Sequence, residues 1–221
     1  MAKALAANGA KRVYILGRRP DALAETAKLL PATIVAIQCD VTSKASLQSA
    51  VDQITNDVGY INLFVANSGV GGAPNKWDPS KSVSEVRKAL FDDHSMEEMT
   101  QTLNVNVTGA FFSMVAFLEL LDAGNKHAVE ADGKGAFGAP AQPGSNVPSV
   151  QSQIIVTSSI AGFSRMAAST PSYGSSKAAI TYLTKQASSS MAKYGIRANA
   201  LAPGCEFVIP SFVIKPRLTR V

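Results

Sequence analysis

Tyr173 and Lys177 stand four residues apart in Tyr173-Gly174-Ser175-Ser176-Lys177, and on a helix that spacing brings a phenol and an ammonium onto one face. A free phenol titrates near pH ~10 and exchanges protons poorly at neutrality. A neighbouring ammonium favours the phenolate and brings the group toward a range where it can pass a proton to a substrate. Tyr and Lys at helical spacing are common on protein surfaces, so the pair by itself is weak. It gains weight from Ile154-Ile155-Val156-Thr157-Ser158-Ser159-Ile160-Ala161-Gly162, an apolar run that ends in hydroxyls. In an open α/β sheet, ligands bind beyond the carboxyl ends of the strands. A Ser at that place donates to a carbonyl oxygen, and small residues after it let a ligand come close. The plain alternative is a Ser-rich turn, which loses most of its force beside the Tyr173 helix.

A scaffold that holds these groups together is written in the alternation of the chain. Strand patterns fall at 13–16, 33–37, 61–66, 154–157 and 197–201, mostly as continuous apolar runs, the mark of strands covered on both faces. Helical patterns lie between them at 21–30, at 43–58, along a stretch ending near Leu121, and at 173–194. Strands alternating with helices predict an α/β fold, a Rossmann-like doubly wound parallel sheet in three α/β/α layers. A chain of 221 residues holds one such domain, 1–221. Residues 123–152 interrupt the rhythm with Gly124, Gly133, Gly135, Gly138, Pro140, Pro143, Gly144 and Pro148. So few large apolar side chains cannot offset the ordering entropy, which predicts an exposed insertion.

Composition excludes several other readings. The chain is 46% hydrophobic and 17% charged, an ordinary globular balance, and no apolar run approaches the ~20 residues of a membrane span. Its N-terminus is too short and too weakly apolar for a signal peptide, so a cytoplasmic location is the default expectation. The net charge of +5 is spread over scattered residues and pairs such as Lys11-Arg12, without the basic stripe that a nucleic-acid partner requires. Cys39 and Cys205 are too far apart in sequence for a recognisable metal or disulfide motif, and His94 and His127 lack partners at ligand spacing. No metal is expected.

Taken in order, Asn67-Ser68-Gly69 after a strand, Asn106 in Val105-Asn106-Val107-Thr108-Gly109, Ser159, Tyr173 with Lys177, and Pro203-Gly204 after Ile196-Arg197-Ala198-Asn199 resemble the short-chain dehydrogenase/reductase family. Each piece is weak; the joint pattern, from about Ala2 to Gly204, is specific. Members with Gly-Arg-Arg after the second strand and Ser-Ser-Ile-Ala-Gly-Phe at the active site, many of them fungal reductases, are the most similar. The resemblance implies an oxidoreductase that moves a hydride between a nicotinamide cofactor and a carbonyl or secondary alcohol of a small substrate. It assigns Tyr173 as proton donor or acceptor, and Lys177 to the nicotinamide ribose and to lowering the Tyr173 pKa. Ser159 takes the substrate oxygen, and Asn106 supports a water-linked proton relay. Ser158 competes for the serine role, and the family's spacing before Gly162 selects Ser159. Asp40 and Val41 match the adenine-contacting position, with Asn67, Gly69, Pro203 and Gly204 on the cofactor side. Homodimers or homotetramers are the family's usual assemblies.

Gly17-Arg18-Arg19 bears on which cofactor. Members that take NAD(H) end this strand with an acid for the ribose hydroxyls; an Arg suits a 2′-phosphate through charge-assisted contacts. A basic turn opening the next helix is the plain alternative, and NADP(H) is the expectation, with NAD(H) second. Both ends depart from the family pattern. No strand and Gly-rich turn precede Met1 to hold a pyrophosphate, and 1–8 reads as the second half of the helix after that turn, closed by Gly9. The strand so lacking belongs at the centre of the sheet, between those at 13–16 and 61–66, and its loss leaves two edges without partners. Residues 205–221 lack the usual Thr-containing loop; 207–214 reads as a short strand weakened by Pro210. A mispredicted start and an altered end are the expectation. The competing functional reading is a non-catalytic protein of the same fold that no longer binds dinucleotide productively.

Overall fold

The computed structural model describes residues 1–74, 76–130, 142–144, 149–165 and 170–204. Short helix α1 (Ala2–Ala7) leads through Gly9, at φ 92, into β1 (Val13–Gly17). Helix α2 (Pro20–Ala27) opens with Pro20 and Asp21; Pro lacks only an N–H that would be unpaired there, and the acid suits the positive helix end. Strand β2 (Ile34–Gln38) follows, then α3 (Lys44–Asp57), capped by the Ser43 side chain accepting from Ser46 N–H. After β3 (Leu63–Ala66) the chain runs through α4 (Val83–Arg87), a π-helical turn at Lys88–Asp92, and α5 (Met96–Leu103). A second π-helical turn, Asn104–Gly109, leads to α6 (Ala110–Ala116) and α7 (Leu118–Glu130). Strand β4 (Gln153–Thr157), a 3-10 turn at Ile160–Gly162, α8 (Pro171–Met191) and β5 (Arg197–Leu201) complete the described chain.

All strand pairing is parallel, in two sheets ordered β2-β1 and β3-β4-β5. Val13 stands opposite Ile34, Leu63 opposite Gln153, and Gln153 opposite Arg197. Between the free edges of β1 and β3 runs a slot of about 1050 Å³ bordered by Val13–Leu16 on one side and Leu63–Ala66 on the other, with Leu47, Ile54 and Phe117 beneath it. No described strand fills it. The slot lies where the order of motifs places a central strand, and its effect is visible in burial. Every residue of β1 is only half-buried, whereas β4, paired on both sides, buries Ile154 and Val156 to 1% exposure. The α/β class and parallel sheet expected from the alternation are present, with helices packed around both sheets.

Two apolar clusters hold the fold. One joins Ala66, Ile154, Val156 and Ala198 of the larger sheet to Met114, Leu121 and Ile180 from α6, α7 and α8. The other packs Ile37 and Cys39 against Leu47, Ala50 and Ile54 of α3 and against Phe117 and Leu120. Phe64 and Phe117 stack at 4.9 Å, joining β3 to the second cluster.

Two expectations are corrected. The helical stretch does not stop near Leu121, and residues 123–130 are not part of an exposed insertion: α7 continues to Glu130, with Gly124 and Asn125 buried. Both residues read as loop signals, but each has a tertiary use. A Cβ on Gly124 would collide with the Ile61 carbonyl, so glycine lets α7 lie directly on the chain entering β3. Asn125 Nδ2 donates to the Gly195 and Tyr194 carbonyls at 2.9 and 3.3 Å, and its Oδ1 accepts from Ser152 N–H at 2.7 Å. It thereby ties α7 to the start of β4 and the turn before β5. Residues 131–141 and 145–148 of the proposed insertion lie outside the described residues, as do Cys205 and the 207–214 strand. No single helix among the described residues is long and apolar enough to cross a membrane.

Removing the Asn125 amide strands several backbone groups in a dry interior. Asn125→Ala is expected to lower stability by about 3 kcal/mol, read as a shift in urea midpoint at constant slope; a change under 0.5 kcal/mol would show these bonds to be dispensable.

Candidate active site

The catalytic candidates lie around the carboxyl end of β4, on the turn that follows it, on α8 and on the π-helical turn before α6. Helix α8 starts at Thr170-Pro171, with the Thr170 hydroxyl accepting from Tyr173 N–H and Pro171 at the first helical position. This presents Tyr173 and Lys177 on one face, with Lys177 Nζ 5.5 Å from the centre of the Tyr173 ring. Lys177 is 5% exposed and donates to the Thr157 carbonyl at 2.6 Å, at the last residue of β4. Burial lowers its pKa from the ordinary 10.5, since a dry site disfavours the charged form.

The 3-10 turn after β4 explains the spacing of Ser159 and Gly162. A Cβ on Gly162 would sit 2.7 Å from Ala178 N and 2.8 Å from the Lys177 carbonyl carbon. Only glycine lets the turn touch α8 so closely beside Lys177. Of the two candidate serines, Ser158 is buried and spent: its hydroxyl contacts Thr181 Oγ1 and donates to the Lys177 carbonyl at 3.1 Å. Ser159 is half-buried and accepts from Ala161 N–H at 3.1 Å, leaving its own proton to donate. The geometry therefore favours Ser159.

Asn106 is 2% exposed and sits in the π-helical turn, a local widening often found at functional sites. Its amide is fully engaged: Oδ1 accepts from Val70 N–H at 2.8 Å, and Nδ2 donates to the Val70 carbonyl and to Ser176 Oγ, both at 2.9 Å. It clamps the loop after β3 onto α8. In that loop Asn67 Oδ1 accepts from Thr157 Oγ1 at 3.0 Å. Gly69 lies against Lys177: a Cβ there would be 3.7 Å from Nζ and 3.1 Å from Asn106 Oδ1.

The remaining cofactor candidates lie at the ends of other strands. Arg18 and Arg19 directly follow β1 and are exposed. Asp40 follows β2; its carboxylate accepts from Thr42 N–H and Oγ at 2.9 and 2.7 Å. These bonds, with the nearby Arg18 charge, hold its pKa below the usual carboxylate value. Val41 is half-buried, and its carbonyl and side chain crowd Gly109. Pro203 accepts from Ile160 N–H at 3.1 Å, and Gly204 approaches the Ile160 side chain, so both lie beside the Ser159 turn. No group of three or more His, Cys, Asp or Glu able to hold a metal occurs among the described residues.

A dinucleotide fits the two ends of this site better than its middle. Charged and polar side chains stand at the ends of β1 and β2, where an adenosine half would lie, and the exposed Gly69 beside Lys177 marks where a nicotinamide ribose would be held. Between them the described residues supply no Gly-rich turn opening a helix, the usual cradle for a pyrophosphate. Sequence reasoning missed Thr157, Val70, Ser176 and Thr170 as supports. Thr170 alone had a readable signal, a hydroxyl residue followed by Pro at a helix start; the others act through backbone groups or contacts made only by folding.

Lys177 gives this arrangement a measurable signature. Between its lowered pKa and 10.5 the unfolded chain binds more protons at this group than the native one, so its contribution to stability rises with pH across that window. Replacing it by methionine should remove this dependence. The stability of Lys177→Met relative to the native chain is expected to be greater at pH 7 than near pH 11, and urea titrations that run parallel at both pH values would refute it.

The comparisons agree with the geometry. The family model for short chain dehydrogenase matches residues 1–129 and 147–206. The chain is 54% identical over 204 residues to the short-chain dehydrogenase/reductase SAT3 of Stachybotrys chartarum, covering 92% of this chain and 73% of that protein. It is 44% identical over 206 residues to the short-chain dehydrogenase/reductase PhomF of Diaporthe leptostromiformis, covering 91% of this chain and 63% of that one. Among solved structures, an NAD+-bound xylitol dehydrogenase superposes with a TM-score of 0.68 at 26% identity, over 92% of this chain and 64% of its own. The chain thus spans between about three fifths and three quarters of the length of these relatives. It belongs to the short-chain dehydrogenase family.

Proposed function

We propose that this chain carries the catalytic half of an NADP(H)-dependent oxidoreductase acting on a carbonyl or secondary alcohol of a small organic molecule. The observation that carries the reading is the Tyr173–Lys177 pair beside Ser159, on a site closed beneath by the Lys177–Thr157 bond. The nicotinamide, when bound, supplies or takes the hydride. In the reductive direction negative charge grows on the substrate oxygen, and donors already aimed at that oxygen lower the barrier because they need not reorganise. The Tyr173 phenol gives it a proton, and Ser159 Oγ donates a hydrogen bond to it. Lys177 offsets the charge left on the Tyr173 oxygen and holds the nicotinamide ribose. Asn106 supports proton resupply by holding the loop after β3 against α8, its own amide being spent on Val70 and Ser176.

Preference for the phosphorylated cofactor rests on Arg18 and Arg19, exposed at the end of β1 with no acid at Gly17. The exposed outer faces of α6 (Phe111, Val115) and α8 (Tyr182) support pairing of two copies through these helices. A second reading, a protein of this fold without productive dinucleotide binding, is favoured by one observation: among the described residues no Gly-rich turn opens a helix to hold a pyrophosphate.

Thermal unfolding with and without cofactor separates the two. A ligand bound only by the native state at 100 times its Kd adds about 2.7 kcal/mol, so NADPH should raise the melting temperature more than NADH, and Arg18→Glu should reverse that order. With a panel of aldehydes and ketones, Tyr173→Phe should lower kcat by roughly 10²–10⁴-fold, the usual share of a general acid. A cooperative melt indifferent to both cofactors would sink the enzymatic reading in favour of the second.

A further inference from the structure

Resting on the proposed role of Tyr173, we infer that Thr170 is a positioning residue: it latches the loop after β3 to the backbone of Tyr173 and so sets the phenol against the Lys177 side of the site. Tyr173's main chain is held at both its N–H and its carbonyl. Its N–H is one of the first-turn donors of α8 that has no helical partner, and it donates to Thr170 Oγ1 at 3.1 Å. The same hydroxyl donates to the Gly71 carbonyl at 2.8 Å. Its carbonyl accepts from Ser176 Oγ at 2.7 Å; Ser176 in turn accepts from Asn106 Nδ2, which also holds Val70. Both backbone groups of Tyr173 therefore reach Val70-Gly71, the N–H through the Thr170 hydroxyl and the carbonyl through the Ser176 hydroxyl and the Asn106 amide. One residue earlier, Gly69 faces Lys177 Nζ. The loop ties the phenol-bearing turn to the ammonium from above, as α8 does from below.

Gly72 shows how closely the latch is fitted. It has φ 76, a conformation that costs glycine little and other residues more. A Cβ there would collide with Ser172 Oγ and lie 3.0 Å from Thr102 Oγ1 and 3.2 Å from Thr170 Oγ1. Three hydroxyls thus converge on a glycine, and Thr102 and Ser172 are buried. An ordinary helix cap needs only the bond to Tyr173 N–H. The bond donated to Gly71 and the packed hydroxyls around Gly72 make this a joint between two segments.

The test compares Thr170→Val, which keeps the shape and removes both hydrogen bonds, with Thr170→Ser, which keeps them, and with Gly72→Ala, which forces the joint apart. Amide hydrogen exchange is followed in the unliganded chain, and steady-state kinetics with NADPH. Thr170→Val and Gly72→Ala should speed exchange in 67–72 and in 171–176 together. Thr170→Val should lower kcat by about tenfold or more, as misplacement of a reacting group does, with KM within about twofold, because the phenol acts in the transition state. Thr170→Ser should restore both. Faster exchange confined to 171–176, or an unchanged kcat beside a lowered melting temperature, would reduce Thr170 to a helix cap and overturn the inference. If the unaltered chain turns over no carbonyl substrate, the proposed function fails by itself, and the two-segment exchange pattern still decides for or against the latch.

Discussion

Holding one ammonium out of water organises the site. Lys177 is 5% exposed, and burying a charge is tolerated only where polar groups replace its hydration. The Thr157 carbonyl does so at 2.6 Å, which requires α8 to lie close over the end of β4. Close packing in turn forbids a side chain at Gly162, where a Cβ would press on the α8 backbone, and leaves only glycine's outline at Gly69. The small residues that read in sequence as a flexible turn are therefore the condition for burying the lysine. Ser158 is consumed beneath it, on the Lys177 carbonyl and Thr181. The next hydroxyl, Ser159, is half-buried and accepts only from Ala161 N–H among the described residues.

The second organising feature is an unpaired pair of edges. Strands β1 and β3 carry apolar sequences suited to a sheet centre, yet the residues of β1 are half-buried because no described strand fills the slot beside them. Parallel sheets depend on cover and pairing on all sides more than antiparallel ones do. Here the two sheets are joined instead from beneath, through α3, Phe117 and the Phe64–Phe117 stack. The catalytic candidates belong to the three-stranded sheet, while Arg18 and Asp40 follow the strands of the smaller one. The site's two halves thus rest on separately paired sheets that meet across the slot.

Much of this was legible in sequence, for identifiable reasons. The five strand patterns became five strands with ends shifted by two residues at most, because short, mostly apolar segments bounded by turn residues have few other stable outcomes. Tyr173 and Lys177 fell on one helical face because 3.6 residues per turn leaves no choice once the helix forms. The place of a central strand, between the runs at 13–16 and 61–66, was readable from the order of motifs, and the slot stands there. What misled was local composition at 123–125. Ala123-Gly124-Asn125 looks like a loop, and only contacts with Ile61, Ser152 and Gly195, far away in sequence, make it helix.

By itself, then, the sequence determined the class of fold, the side-chain types of the site and their order along the chain, since these follow from periodicity and spacing within single elements. Tertiary structure decided which of two adjacent serines keeps a free proton, that Asn106 spends its amide on Val70, and that Thr170 reaches Gly71 across 99 residues. Each of these is a competition among hydrogen-bond partners that exist only once distant segments share a dry interior. There an unpaired polar group costs more than any local preference can return.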